Sequence, residues 1–231
     1  TNGAVTTGKE LIANVGNDAV TNGIVTTNGA LKWNVGNDFT VNAAVLSHGT
    51  TTIDAQNVKL SADLMSDKNL TITAKNNIFT KEGTNLSTKS DGRLKARTAD
   101  LGGDVHADGT LTIETDEHLA AKNITAGGNA TLNAGAELSA KDVNVGGDLN
   151  AKAKNITANN VTGKGNAVLT ADKNVTLEGA FSAKNNAVLT AGQNATLGGK
   201  TDVGETLTAN VGRDFVTNGA VTTGKELIAN V

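Results

Sequence analysis

Three histidines, three recurring aspartates and one run of basic residues are the side chains in this sequence with the chemistry to bind or catalyse. His48, His106 and His118 sit in the contexts SHGT, VHAD and EHLA. A metal site needs several donors at short, regular spacing. None of the three has such a companion, so surface corners are their expected place. Cysteine is absent, which removes thiolate ligands, thiol nucleophiles and disulfides. Asp18, Asp38 and Asp214 share one position, at the end of NVGND or NVGRD. Paired acids at the right separation hydrolyse glycosides, but an Asp in this setting is what a tight turn selects. GGD occurs at 102–104 and 146–148. The calcium-binding β-roll needs GGxGxDxUx in tandem. Here the second element is missing, and Val105 or Leu149 starts a strand at once. Neither a metal, a cofactor nor a catalytic role follows from these residues.

Lys89, Arg93, Lys95 and Arg97 form the one basic cluster. Arg93, Lys95 and Arg97 alternate with Leu94 and Ala96, so a strand here turns all three outward. Such a stripe suits a sulfated glycan or acidic lipid headgroups. The plainer alternative is a solvated strand face whose charges discourage edge pairing. Trp33, the sole Trp, falls on the inward phase and belongs to the core. Thr-Thr pairs at 6–7, 26–27 and 222–223 are missing from the middle of the chain, so they do not build a flat ice-binding array.

The elements that carry these residues follow from a repeat. Residues 11–30, LIANVGNDAVTNGIVTTNGA, return at 31–50 as LKWNVGNDFTVNAAVLSHGT and at 207–226 as LTANVGRDFVTNGAVTTGKE. Residues 1–15 and 217–231 are the same string, TNGAVTTGKELIANV. Inside each copy apolar residues alternate: Leu31, Trp33 and Val35, then Phe39 and Val41, then Ala43 and Val45. Lys32, Asn34 and Thr40 take the opposite side. A period of two marks strands, and recurrence about every 20 residues marks a stacked coil. Gly, Asn and Asp after each short strand make three corners, hence a roughly triangular turn. A two-sheet sandwich also alternates, but it does not explain near-copies 20 residues apart. Helices are disfavoured by the period and by frequent Gly and β-branched residues.

The predicted fold is therefore all-β: a single-stranded parallel β-helix, or β-solenoid, of about eleven coils of about 20 residues. Eleven coils at roughly 4.8 Å each give a rod on the order of 50–55 Å. Residues 1–231 form one repeat domain, and anchors from Leu11 to Leu227 are spaced irregularly, about 17 to 24 residues apart. Residues 81–93, KEGTNLSTKSDGR, lose the alternation and are expected to protrude as an irregular loop. Asn14, Asn34, Asn210 and Asn230 occupy one recurring position. On adjacent coils they can bond amide to amide; the alternative is that they simply face water.

Composition agrees with a narrow core. The chain has four Phe, one Trp and no Tyr, so Ala, Val, Leu and Ile must fill it. Proline is absent, leaving every backbone N–H free for a ladder. The net charge of −3 is the wrong balance for nucleic-acid binding. No apolar run is long enough to cross a bilayer, and the opening TNGAVTTGKE lacks the basic and apolar parts of a signal peptide. The sequence reads as an internal piece of something longer.

Residues 127–161, GGNATLNAGAELSAKDVNVGGDLNAKAKNITANNV, and 184–199, KNNAVLTAGQNATLGG, resemble the central repeats of filamentous haemagglutinin-type exoproteins. These are the large secreted partners of two-partner secretion systems in Gram-negative bacteria. They include adhesins, haemolysins and the shafts of contact-dependent growth inhibition proteins. The resemblance runs through nearly the whole chain as degenerate GGxLxxxA and NxTLxA units. It marks the repeat class and not the member. The family's secretion domain carries Asn-Pro motifs; with no proline, this sequence has no counterpart to them. Tandem coils without a catalytic cluster point to a non-enzymatic role; the alternative, a polysaccharide-active β-helix enzyme, needs convergent acids and bases on one face with aromatics for sugar stacking, and the sequence offers neither. The resemblance implies a segment of a right-handed β-helical shaft, secreted or held at the bacterial surface. It also implies export through an outer-membrane two-partner secretion transporter and a receptor or glycan on a host or neighbouring cell. The missing Cys and Pro suit threading unfolded, with no disulfide and no slow prolyl isomerisation.

Overall fold

The computed structural model describes residues 1–231 as 27 β-strands and no helix. Every strand pairs in parallel with the one about a coil away. Three faces recur in each turn. Leu11–Val15 on the first face pairs with Leu31–Val35, Leu11 on Leu31 and Val15 on Val35. Ala19–Thr21 on the second face pairs with Asp38–Val41. Val5–Thr7 on the third pairs with Val25–Thr27, then with Val45–Ser47. The same three ladders continue to Leu227–Asn230, where Leu207 meets Leu227. The chain is thus a parallel β-solenoid of about eleven turns.

In the middle coils some corners shrink to bulges, and a strand runs through them. Thr51–Leu60 and Leu70–Thr80 each cover two faces, and Leu149–Gly163 covers all three. The pairing slips between Ala74 and Asn77 and between Ala153 and Asn155. An unpaired residue or two bends a strand as a Gly-Asn turn would. The short strands of the outer coils are therefore not universal.

A single apolar thread of 57 buried residues runs through the bore. Trp33 lies in it, 4.7 Å from the ring of Phe39. The register explains why leucines read off the sequence are irregularly spaced. They occupy two different inward slots. The first slot of the first face runs Leu11, Leu31, Thr51, Leu70, Gly92, Leu111, Ala130, Leu149, Ala167, Ala187, Leu207, Leu227. Where that slot is small, the next one is large: Gly92 precedes Leu94, Ala130 precedes Leu132, Ala167 precedes Leu169. Where it is Leu149 or Leu207, the next is Ala151 or Ala209. In these coils a large residue in one slot makes up for a small one in the other, which keeps the bore filled; in others, such as Leu31 with Trp33, Leu70 with Ile72 and Leu111 with Ile113, both slots are large. The true coil length varies only from 18 residues (Leu149 to Ala167) to 22 (Leu70 to Gly92).

Against its neighbours the longest coil gains one residue at the slip between Ala74 and Asn77 and two at residues 81–84. There Gly83 takes the only positive φ, +78°, and Thr84 N–H bonds the Lys81 carbonyl. The rest of the stretch expected to protrude is in the ladder. Asn85–Thr88 pairs below with Leu64–Ser66 and above with 104–107. Its polarity misled because Leu86 and Thr88 point inward while the strand's other side faces water.

Candidate functional site

The strand Gly92–Ala96 buries Leu94 and Ala96, so alternation turns Arg93 and Lys95 to solvent. Arg97 follows just past its end, also exposed. Lys89 stands apart, at the corner after the third face. The structure thus divides the four basic residues, and acids on neighbouring coils meet three of them. Arg93 Nη2 lies 2.7 Å from Glu114 Oε2, Arg97 Nη1 3.2 Å from Glu117 Oε2, and Lys89 Nζ 2.7 Å from Asp67 Oδ1. Lys95 alone has no carboxylate within 4 Å, although Glu114 is its ladder partner.

Asp67 is held from both sides. His48 Nδ1, one coil below, lies 2.6 Å from Oδ2, and Lys89, one coil above, meets Oδ1. The His48 contact, then that of Lys89, keeps the carboxyl below its ordinary 3.8. In turn the Asp67 carboxylate holds Lys89 above its ordinary 10.5. Asp67's folded value is the lower one, so its contribution is present above pH 3.8 and fades as pH falls through the folded value. His48 and Lys89 are exposed and Asp67 is half-buried, so solvent screens the pairs, the effect on global stability is small and the readout is local. An NMR titration should put the Asp67 midpoint below 3.8, and His48→Ala should raise it. A wild-type midpoint at or above 3.8 would refute the pairing.

The other histidines each meet one acid: His106 Nε2 is 2.7 Å from Asp108 Oδ1 and His118 Nδ1 is 3.8 Å from Glu137 Oε2. No three His, Asp or Glu side chains converge as a metal site would require. Asp18 and Asp38 lie on successive coils, where the Asp18 carboxylate accepts the Asp38 backbone N–H at 3.2 Å. Asp38 accepts the Asn57 amide at 2.7 Å.

These are parts of ladders that follow the corners. Asn34 Nδ2 donates to Asn14 Oδ1 at 2.5 Å, and Asn230 Nδ2 to Asn210 Oδ1 at 2.8 Å. A longer column was not apparent from the sequence. It occupies the residue just before the first face: Asn69, Asp91, Thr110, Asn129, Asp148, Asn166, Asn186, Thr206. The backbone N–H of Thr110 bonds the Asp91 side chain at 2.8 Å, that of Asp148 bonds Asn129 at 2.8 Å, and that of Asn166 bonds Asp148 at 2.7 Å. Thr110 also keeps the Asp91 carboxyl below its ordinary value, through its N–H and then its hydroxyl. Each bond satisfies a corner amide that the adjoining sheet leaves over. The signal was an Asx or Thr one residue before each first-face strand from Thr51 to Leu207, visible only once the register is known.

The third face opens with another column, alternating acid and amide: Asp63, Asn85, Asp104, Asn123, Asp142, Asn160. It edges a shallow groove of about 630 Å³ that also contains Met65 and His106. Asn123 Nδ2 donates to Asp104, and Asn160 Nδ2 to Asp142, each at 2.7 Å. The carboxylates are two coils apart with an amide between, so they form a ladder and do not converge on one atom. The Thr-Thr pairs resolve the same way. Thr26 faces out while Thr27 is buried, its hydroxyl 3.0 Å from the Gly29 carbonyl.

No helix is long and apolar enough to cross a membrane. No protein-family model, curated protein or solved structure matches this chain.

Proposed function

We propose that the chain is a length of shaft in a large exported protein of the filamentous haemagglutinin type. Its work is to be stiff and hydrophilic outside, and to hold an adhesive or toxic module away from the cell. One observation carries this reading: a continuous thread of 57 buried residues inside about eleven coils clad in polar ladders. Each coil covers its neighbours' apolar faces, so stiffness follows from the stack itself. Export runs through an outer-membrane two-partner secretion transporter, and the destination is the cell surface or the medium. The target is a receptor or glycan on a host or neighbouring cell. A growth-inhibition shaft uses the same physics with a toxin as cargo. The role is non-enzymatic, so turnover assays on uronate polymers should be blank.

The test uses antibodies raised against residues 1–231 and intact cells of the source bacterium. Binding to unbroken cells or their medium, lost when the partner transporter is deleted, is the expected result. An epitope reached only after lysis would end the reading. The basic residues are tested separately, by reversing Arg93, Lys95 and Arg97 to Glu. Undiminished binding to target cells or sulfated glycan would remove them from recognition.

A further inference from the structure

We propose that residues 1–216 form a register-closed unit, and that a further copy of the same unit fits on its end and continues the solenoid without a break. This goes beyond the shaft reading and does not depend on export or on any receptor. It rests on the string TNGAVTTGKELIANV, which occurs at 1–15 and again at 217–231. At 1–15 the structure shows what lies above the string, and at 217–231 what lies below it. The two halves can therefore be laid together on one rung.

The backbone atoms used in the two places do not overlap. Upward, the carbonyls of Thr1, Thr7 and Lys9 accept from Asn22, Asn28 and Gly29, while the N–H groups of Val5 and Leu11 donate to Ile24 and Ala30. Downward, the N–H groups of Asn218, Gly224 and Lys225 donate to Leu197, Val203 and Glu205. The carbonyls of Ala220 and Glu226 accept from Thr201 and Leu207. Position by position, none of these N–H or C=O groups serves both sides. One copy can satisfy both neighbours at once.

Side chains agree in direction. Asn14 uses Oδ1 to accept from the coil above, and its counterpart Asn230 uses Nδ2 to donate to the coil below. A single Asn at that place joins Asn210 to Asn34 in one ladder. The glycine columns also match. A Cβ on Gly219 would lie 2.1 Å from the Gly199 carbonyl oxygen, and one on Gly23 2.2 Å from that of Gly3. The same close coil-to-coil approach thus holds on both sides of the shared rung.

The bore continues as well. In the second-face lane, Ala195 lies under Phe215 and Ala19 lies under Phe39. A following unit would set its Ala19 on Phe215, giving Ala, Phe, Ala, Phe in succession. The large Trp33 likewise follows the small Ala13, whose counterpart is Ala229. The faces so joined are apolar. Leu227 is exposed at one end, and Val5, Leu11 and Trp33 line a mouth of about 310 Å³ at the other.

The experiment compares two fusions, each containing the intact chain. In the first, residues 16–231 follow Val231, so the shared string is present once and every later residue keeps its lane. In the second, residues 1–231 follow Val231, so the string is doubled and the lanes are lost at the joint. Small-angle scattering and thermal melts are read on both. The in-register fusion should lengthen the rod by about eleven coils, roughly 53 Å, and melt at or above the parent's temperature. The out-of-register fusion should be bent or hinged at the joint and more readily cleaved there by protease. Equal length, melting and protease resistance for the two fusions would overturn the proposal. So would a protease-sensitive hinge in the first.

Discussion

Gly103→Ala is expected to cost about 4 kcal/mol or more, at the extreme of what single substitutions do. An added Cβ would fall 1.6 Å from the Thr84 carbonyl oxygen. No rotamer relieves that, because both groups are backbone. The same oxygen accepts the Asp104 N–H at 3.1 Å, so moving it breaks the ladder where the chain turns onto the third face. Gly103 has no positive φ, and the demand for glycine is one of contact and not of conformation. Gly16→Ala is the matched control: nothing lies within 4 Å of a Cβ there, and the change should stay within about 0.5 kcal/mol. Urea unfolding of the two variants is the measurement. If the Gly103→Ala variant unfolds with the parent's midpoint, the coils are not packed backbone to backbone at this corner.

Gly103 also shows where the sequence was legible and where it was not. The alternation of Leu31, Trp33 and Val35 identified the inward side because a strand's period is fixed at two. Recurrence of that segment identified the stack. Phase along the stack was harder. Leu94 and Leu132 resemble Leu70 and Leu111 in a list, yet they fill the second slot and not the first. A lone sequence cannot reveal that Gly92 or Ala130 stands in for a leucine, because the leucine of that coil sits in the second slot, at Leu94 or Leu132.

The two GGD motifs make the same point from the polar side. Asp104 opens the third face and accepts an amide from Asn123, whereas Asp148 precedes the first face and accepts the N–H of Asn166. One tripeptide thus serves two corners. The basic cluster was legible as exposed, because alternation dictates that. The pairing of Arg93 with Glu114 and of Arg97 with Glu117 was not, because partners about 20 residues away become neighbours only when the coil length is known. Residues 81–93 look like a loop for want of apolar side chains, yet a solenoid strand needs only two inward residues, here Leu86 and Thr88, to hold its place.

Ile113→Asp is the sharpest probe of the thread itself. Ile113 is fully buried, with Leu94 below and Leu132 above. The substitution removes roughly 1.5–3 kcal/mol of apolar burial. It also sets an unpaired carboxylate in the bore, at a further cost of about 3–5 kcal/mol if it stays charged. Coils touch only their neighbours, so the damage should be local in space but divisive in consequence. The single unfolding event should separate into two, one for the coils before residue 111 and one for those after 115. Limited proteolysis should cut between the halves. Thr112→Asp, on the outward side of the same strand and opposite Arg93 in the ladder, should leave the melt essentially unchanged. An Ile113→Asp variant that still melts in one step near the parent's temperature would mean that stiffness resides in the surface ladders. Two separated transitions would place it in the apolar thread, which adjacent coils must complete for each other.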